Sequence, residues 1–212
     1  NGDAFNNGDA FSIGPRTYLI ATAYGTHRAI IFDVTSPVTP VKVGEAIHNS
    51  AGFTALSNPD GVRTFTVGIF TYAIVCGTGS HGVQLIDVSV PTDPRAAGAA
   101  IDGVNGFTRL RSPKYVDIFA SASRVYAIIT AWDDNGVQLI DVTDPEAPAA
   151  VAAPGGGVDG FHLEYPLGVD AFAIGNRMFA AVVLNHQHAV QLIDVSDPSN
   201  PVPAGRKMTL VD

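Results

Sequence analysis

One pattern limits this chain more than any other: it repeats itself four times. The segments Ala29-Ile30-Ile31-Phe32-Asp33-Val34, Val83-Gln84-Leu85-Ile86-Asp87-Val88, Val137-Gln138-Leu139-Ile140-Asp141-Val142 and Val190-Gln191-Leu192-Ile193-Asp194-Val195 align on their aspartates, which stand 54, 54 and 53 residues apart. Phe11, Phe65, Phe119 and Phe172 keep the same register 22 residues upstream. A third marker, Gly-Phe, recurs at Gly52-Phe53, Gly106-Phe107 and Gly160-Phe161. Three markers with one period divide the chain into repeats of about 1–51, 52–105, 106–159 and 160–212. Such a period marks an array whose units bury their faces on one another.

The third unit shows what a repeat contains. Residues 116–120 and 137–142 read as strands, as does the nearly continuous apolar run at 125–130. Asp133-Asp134-Asn135-Gly136 is a tight-turn signal, and Asp144-Pro145-Glu146-Ala147-Pro148 breaks the third strand before a short fourth at 149–153. Gly155 to Pro166 is a long connection to the next unit, and no window carries a helical stripe. With 46% hydrophobic and only 15% charged residues, the chain has the means to bury such strands and is no candidate for disorder. The expectation is an all-β protein, a β-propeller built from four ~54-residue, four-stranded blades.

The motif Leu192-Ile193-Asp194-Val195-Ser196-Asp197-Pro198-Ser199-Asn200-Pro201-Val202 resembles that of the LVIVD-repeat proteins. It returns at Leu139 to Pro148 and, more loosely, at Leu85 to Pro94 and Ile31 to Pro40. The resemblance implies a propeller fold and an extracellular or cell-surface location, and says little about chemistry. The longer period and the Gly-Phe connection depart from that family's pattern.

Charge and composition exclude some partners. A net charge of −8 without any basic cluster argues against nucleic acid. No apolar run is long enough to span a membrane. The lone cysteine, Cys76, lies in an apolar run and reads as a buried, inert thiol. The stretch starts Asn-Gly-Asp with neither Met nor signal peptide, so it reads as a processed or excised piece.

Recurrence also picks out candidate site residues. Counting back from each anchor aspartate to the turn between second and third strands gives His27, His81, Asn135 and His188. Three histidines and an asparagine on one face can hold a metal or an anion, although turns on separate blades sit far apart for one ion. His186 and His188 form a local pair, and Asp133, Asp134 and Asn135 offer oxygens to Ca²⁺ where a hairpin turn explains them equally well. No other cofactor is implied. Phe53, Phe107 and Phe161 head recurrent loops, where they either bind a ligand or plug the crevice between blades. The anchor aspartates read as turn caps, and the Pro-x-x-Pro pairs as turn punctuation rather than ligands for SH3-type domains.

No nucleophile elbow, zinc-protease motif or phosphate loop occurs, and no carboxylate pair stands out. The leading expectation is therefore a non-catalytic extracellular scaffold or binding module for a protein or a glycan. One alternative is a self-assembling ring or filament subunit that continues the repeat head-to-tail; the other is a metal-binding or enzymatic propeller that uses the histidine face. Four repeats either close on themselves or continue into a neighbour.

Overall fold

A computed structural model describes residues 4–155 and 160–209. Its strands, in chain order, are β1 (Phe5–Ile13), β2 (Arg16–Ala23), β3 (Arg28–Asp33), β4 (Val41–Ile47), β5 (Pro59–Val67), β6 (Phe70–Gly77), β7 (Gly82–Asp87), β8 (Arg95–Ile101), β9 (Pro113–Ser121), β10 (Arg124–Ala131), β11 (Gly136–Asp141), β12 (Ala149–Ala152), β13 (Pro166–Ile174), β14 (Arg177–Leu184), β15 (Ala189–Asp194), β16 (Val202–Pro203) and β17 (Met208–Thr209). They form four antiparallel sheets, β1–β4, β5–β8, β9–β12 and β13–β16, each within one repeat and each in simple up-and-down order. In the fourth sheet the outermost strand is split, with β16 and β17 both pairing β15. One turn of 3-10 helix, Thr78–Ser80, is the only helical element among the described residues. The expected all-β blade array is what forms.

The repeated motif builds the same local structure in every blade. The Oδ1 of Asp33, Asp87, Asp141 and Asp194 accepts the N–H two residues on, at 2.8–3.0 Å, closing the turn after the third strand. The hydroxyl of that Thr or Ser accepts a backbone N–H at the start of the second strand, at 2.9–3.0 Å. The second carboxylate oxygen takes an arginine in three blades: Arg16 at 2.8 Å from Asp33, Arg124 on Asp141 and Arg177 on Asp194. Phe70 stands in that place in the second blade.

The middle strands of the second and third blades are covered on both faces, because each of these blades packs between two neighbours. Three apolar clusters fill three successive seams. The first joins Phe11, Ile20 and Ile31 to Ala73, Val75 and Ile86. The second joins Phe65, Ile74 and Leu85 to Ala127, Ile129 and Ile140. The third joins Phe119, Ile128 and Leu139 to Ala180, Val182 and Ile193. Phe53, Phe107 and Phe161 sit in these same seams at 3, 3 and 4% exposure. Buried Gln84, Gln138 and Gln191 fix the loops that carry them. Each accepts one or two loop N–H groups and donates to a carbonyl, at 2.9–3.2 Å.

The first strand of each blade is innermost: β1 lies beside β5, β5 beside β9, and β9 beside β13. Among the described residues β13 makes no comparable contact with β1, and no apolar cluster joins the fourth blade to the first. The four blades form an open arc rather than a closed ring. Of the two arrangements left open by the repeat count, intramolecular closure is the one this structure does not adopt.

Candidate functional site

The turns between second and third strands do share a face with the loops that enter each blade. At the tips of these turns His27, His81, Asn135 and His188 all adopt left-handed backbone, with φ of 56, 50, 50 and 47°. Histidine and asparagine tolerate that conformation better than most residues. Three of the four then reach into the next blade. The Asn58 N–H donates to His27 Nδ1 at 2.9 Å, the Ser112 N–H to His81 Nδ1 at 3.1 Å, and the Tyr165 N–H to the Asn135 side-chain oxygen at 3.0 Å. This explains why Asn substitutes for His: the position needs a short side-chain acceptor on a left-handed turn. His188 keeps the turn geometry and is exposed.

The turn residues weighed as metal ligands serve the turns themselves. Among the described residues no three His, Cys, Asp or Glu side chains come together. The oxygens proposed for Ca²⁺ face protein donors instead: Asp133 accepts the Ser112 hydroxyl, Asp134 the Arg111 N–H at 2.8 Å, and Asn135 the Tyr165 N–H. His186 joins an aromatic cluster, its ring centroid 4.2 Å from that of Tyr165 in a tilted contact and 5.7 Å from that of Trp132 edge-on. Trp132 and Tyr165 lie 5.2 Å apart. Phe53, Phe107 and Phe161, buried in the seams, present no surface to a ligand. Cys76 is fully buried, and burial holds its thiol well above the usual range.

The charged groups that do converge lie on the inner edge. The Asp60 carboxylate takes Lys114 Nζ at 3.4 Å from the following blade and the Asn6 amide at 3.5 Å from the preceding one. One layer further along the strands, Arg63 Nε donates to Asp117 at 3.1 Å, while the other Asp117 oxygen accepts the Ala171 N–H at 2.7 Å. Asp9 accepts both the N–H and the hydroxyl of Thr64 at 2.6 Å. Burial pushes the Asp60 carboxyl above its ordinary range, outweighing Lys114 and Asn6. This inner edge adjoins the histidine face, since the Trp132 N–H donates at 3.2 Å to the carbonyl of Ser112, two residues before Lys114.

Sequence reasoning passed over this set because no contiguous motif carries it. The signal was present in the repeat register. Two residues before each anchor phenylalanine stand Asp9, Arg63, Asp117 and Asp170, and five before stand Asn6, Asp60, Lys114 and Leu167. Six of these eight positions are charged, where an ordinary strand would be neutral.

Similar shapes occur among solved structures. A functionally unknown protein from Desulfotomaculum acetoxidans aligns over 99% of this chain and 57% of its own, with a TM-score of 0.64 and 12% identity. An exo-β-1,3-galactanase from Phanerochaete chrysosporium, with β-1,3-galactotriose, aligns over 96% and 49% with a TM-score of 0.63 and 10% identity. The periplasmic gluconolactonase of Pseudomonas aeruginosa aligns over 90% and 50% with a TM-score of 0.62 and 14% identity. The chain thus spans about half the length of these neighbours. No family model and no curated protein matches it. At these identities the likeness establishes the propeller-like fold. It also corrects the expectation of a non-catalytic scaffold, which rested on missing motifs: the fold is one that enzymes use, and their chemistry need not show as a linear motif.

Proposed function

We propose that this chain is an enzymatic propeller acting on a hydroxyl-rich, sugar-like substrate, with its reacting groups on the inner edge below the histidine face. The observation that carries the reading is Asp60. Burial raises this carboxyl above its ordinary range, and it stands 3.4 Å from a lysine and beside a second acid–base pair, a placement suited to proton exchange with a substrate. The C–O bond breaks as Asp60 passes a proton to the leaving oxygen, water adds to the carbon and returns a proton to Asp60, Lys114 stabilises the carboxylate in between, and Arg63 and Asp117 orient hydroxyls. The Trp132, Tyr165 and His186 cluster offers a rim on which a sugar ring stacks. The galactanase and the gluconolactonase support this choice of substrate class. Kinship with the LVIVD-repeat proteins, proposed on the motif, and an extracellular location complete the reading.

The test is a screen of chromogenic aryl glycosides and aldonolactones, followed by Asp60→Asn and Trp132→Ala. The expected result is turnover in one class, a kcat about 100-fold lower in Asp60→Asn, and a raised KM in Trp132→Ala. Absence of turnover in both classes together with no sugar binding by calorimetry overturns it, as does an Asp60→Asn variant with undiminished kcat.

A further inference from the structure

The seams are pinned at the histidine face by side chains of unlike chemistry, and not all of them withstand a proton. A neutral imidazole has one N–H and one lone-pair nitrogen. A ring nitrogen that accepts a backbone N–H is therefore the unprotonated one, and a proton added there sets two donors against each other. Between the first and second blades two histidines are used in this way. His27 Nδ1 accepts the Asn58 N–H at 2.9 Å, with the Ser57 hydroxyl 3.4 Å away. His48 Nδ1 accepts the Leu56 N–H at 3.3 Å. The two ring centroids lie 6.1 Å apart, and the His48 N–H donates to the His27 carbonyl at 3.0 Å. We propose that this pair is an acid-released latch: it holds residues 53–58 while both rings are neutral, and protonation frees that segment and the start of β5, where Asp60 stands.

The other seams show why this one is the sensitive one. At the second, His81 Nδ1 accepts the Ser112 N–H at 3.1 Å, but Asp102 takes the place of His48. The Asp102 Oδ1 accepts the Leu110 N–H at 3.1 Å, and Asp133 accepts the Ser112 hydroxyl. Two carboxylates keep that loop when His81 is charged. At the third, Asn135 accepts the Tyr165 N–H at 3.0 Å and has no proton to gain. Among the described residues, the first seam alone is held by two imidazoles, and protonation sets one cation beside another.

The charged groups around the pair are already engaged. Arg28 and Glu45, next to His27 and near His48 on β3 and β4, are joined at 2.9 Å, and Lys42 takes the same Glu45 oxygen. Tyr24 contributes its carbonyl, which accepts the Asn58 amide at 3.4 Å. From the second blade the Ser57 N–H donates to the Ser80 hydroxyl, the neighbouring His81 holds the following seam, and Asp60 faces Lys114 and Asn6. Burial, with His27 adding to it, holds His48 below the ordinary imidazole range against the opposing pull of the Phe53 carbonyl. The stability such a group contributes is present above its unfolded value, about 6.5, and is lost as pH falls through the folded one. Asp60 lies two residues beyond Asn58, so release loosens its placement. Any effect on turnover rests on the catalytic reading; the latch itself does not.

Amide exchange at about pH 7.5 and about pH 5.5, the span in which histidine titrates, tests this once corrected for intrinsic rates. Leu56 and Asn58 are expected to lose protection about tenfold or more at the lower pH, the equivalent of one lost hydrogen bond. Ser112 is expected to lose less, and Tyr165 none. His27→Asn combined with His48→Asn keeps acceptors without the protons, on the pattern of Asn135, and is expected to hold the loop at both values. Asn135→His is expected to make Tyr165 acid-sensitive. Cooperative urea unfolding at neutral pH shows that the variants fold, and the comparison within the unmodified chain stands without them. Equal protection of Leu56 and Asn58 at the two values in the unmodified chain overturns the proposal. So does an acid-induced loss that survives in the double asparagine variant. If exchange shows the latch and no substrate is turned over, only the catalytic reading falls.

Discussion

At the scale of single residues, repetition was easy to see and its meaning was not. His27, His81 and Asn135 recur because a left-handed turn tip must accept an N–H from the next blade, a demand that needs the neighbour's backbone to be recognised. The anchor aspartates were legible, since their partners lie two residues away. They also set the response to acid. Burial by itself would raise Asp141 and Asp194, but the hydroxyl and N–H of Thr143 or Ser196 and the facing arginine outweigh it and hold both carboxyls below the usual range. Asp33 is held low chiefly by the Thr35 hydroxyl and N–H, with Arg16 adding to them. An acid whose folded value is depressed stabilises the fold above its unfolded value, about 3.9, and loses that contribution as pH falls through the folded value. Asp194→Asn is therefore expected to lower stability by about 1 kcal/mol at pH 7, a modest figure because Arg177 is largely exposed. The difference from wild type is expected to shrink as pH drops below about 4. Urea unfolding at pH 7, 5 and 3 measures it, and a difference constant with pH would contradict the linkage.

At the scale of elements, the strands of the third unit were readable almost to the residue. The reading at 116–120 lies inside β9, 125–130 inside β10, and 137–142 is offset by one from β11. What it missed was length at the inner strands. β9 begins at Pro113, because a bulge opposite Ala131 lets a proline start the strand without breaking the ladder. The Gly-Phe loops were ambiguous in sequence for a physical reason: a buried and an exposed phenylalanine look alike until the neighbouring blade is placed. Phe107, at 3% exposure between the second and third blades, is a seam residue in full. Phe107→Ala is expected to cost about 3–5 kcal/mol, and Phe107→Leu distinctly less, by chemical unfolding. A cost below about 1 kcal/mol for the alanine would mean that the loop does not close the seam.

For the whole molecule, the order of blades carries a consequence that no single strand shows. In a linear array each unit is stabilised by its own contacts and by those with nearest neighbours. The second and third blades have two seams each, and the first and fourth have one. The middle strands β6, β7, β10 and β11 are buried along most of their length. β1 keeps five exposed residues and β14 two, and the outermost strand of the fourth blade is reduced to two short pieces. Hydrogen exchange on the dilute chain is therefore expected to be slowest in β6, β7, β10 and β11 and to approach the global unfolding limit there. Exchange in β1 and β15 to β17 is expected to be faster, through local opening of the end blades. A ring closed within one chain would give all four blades two seams and uniform protection.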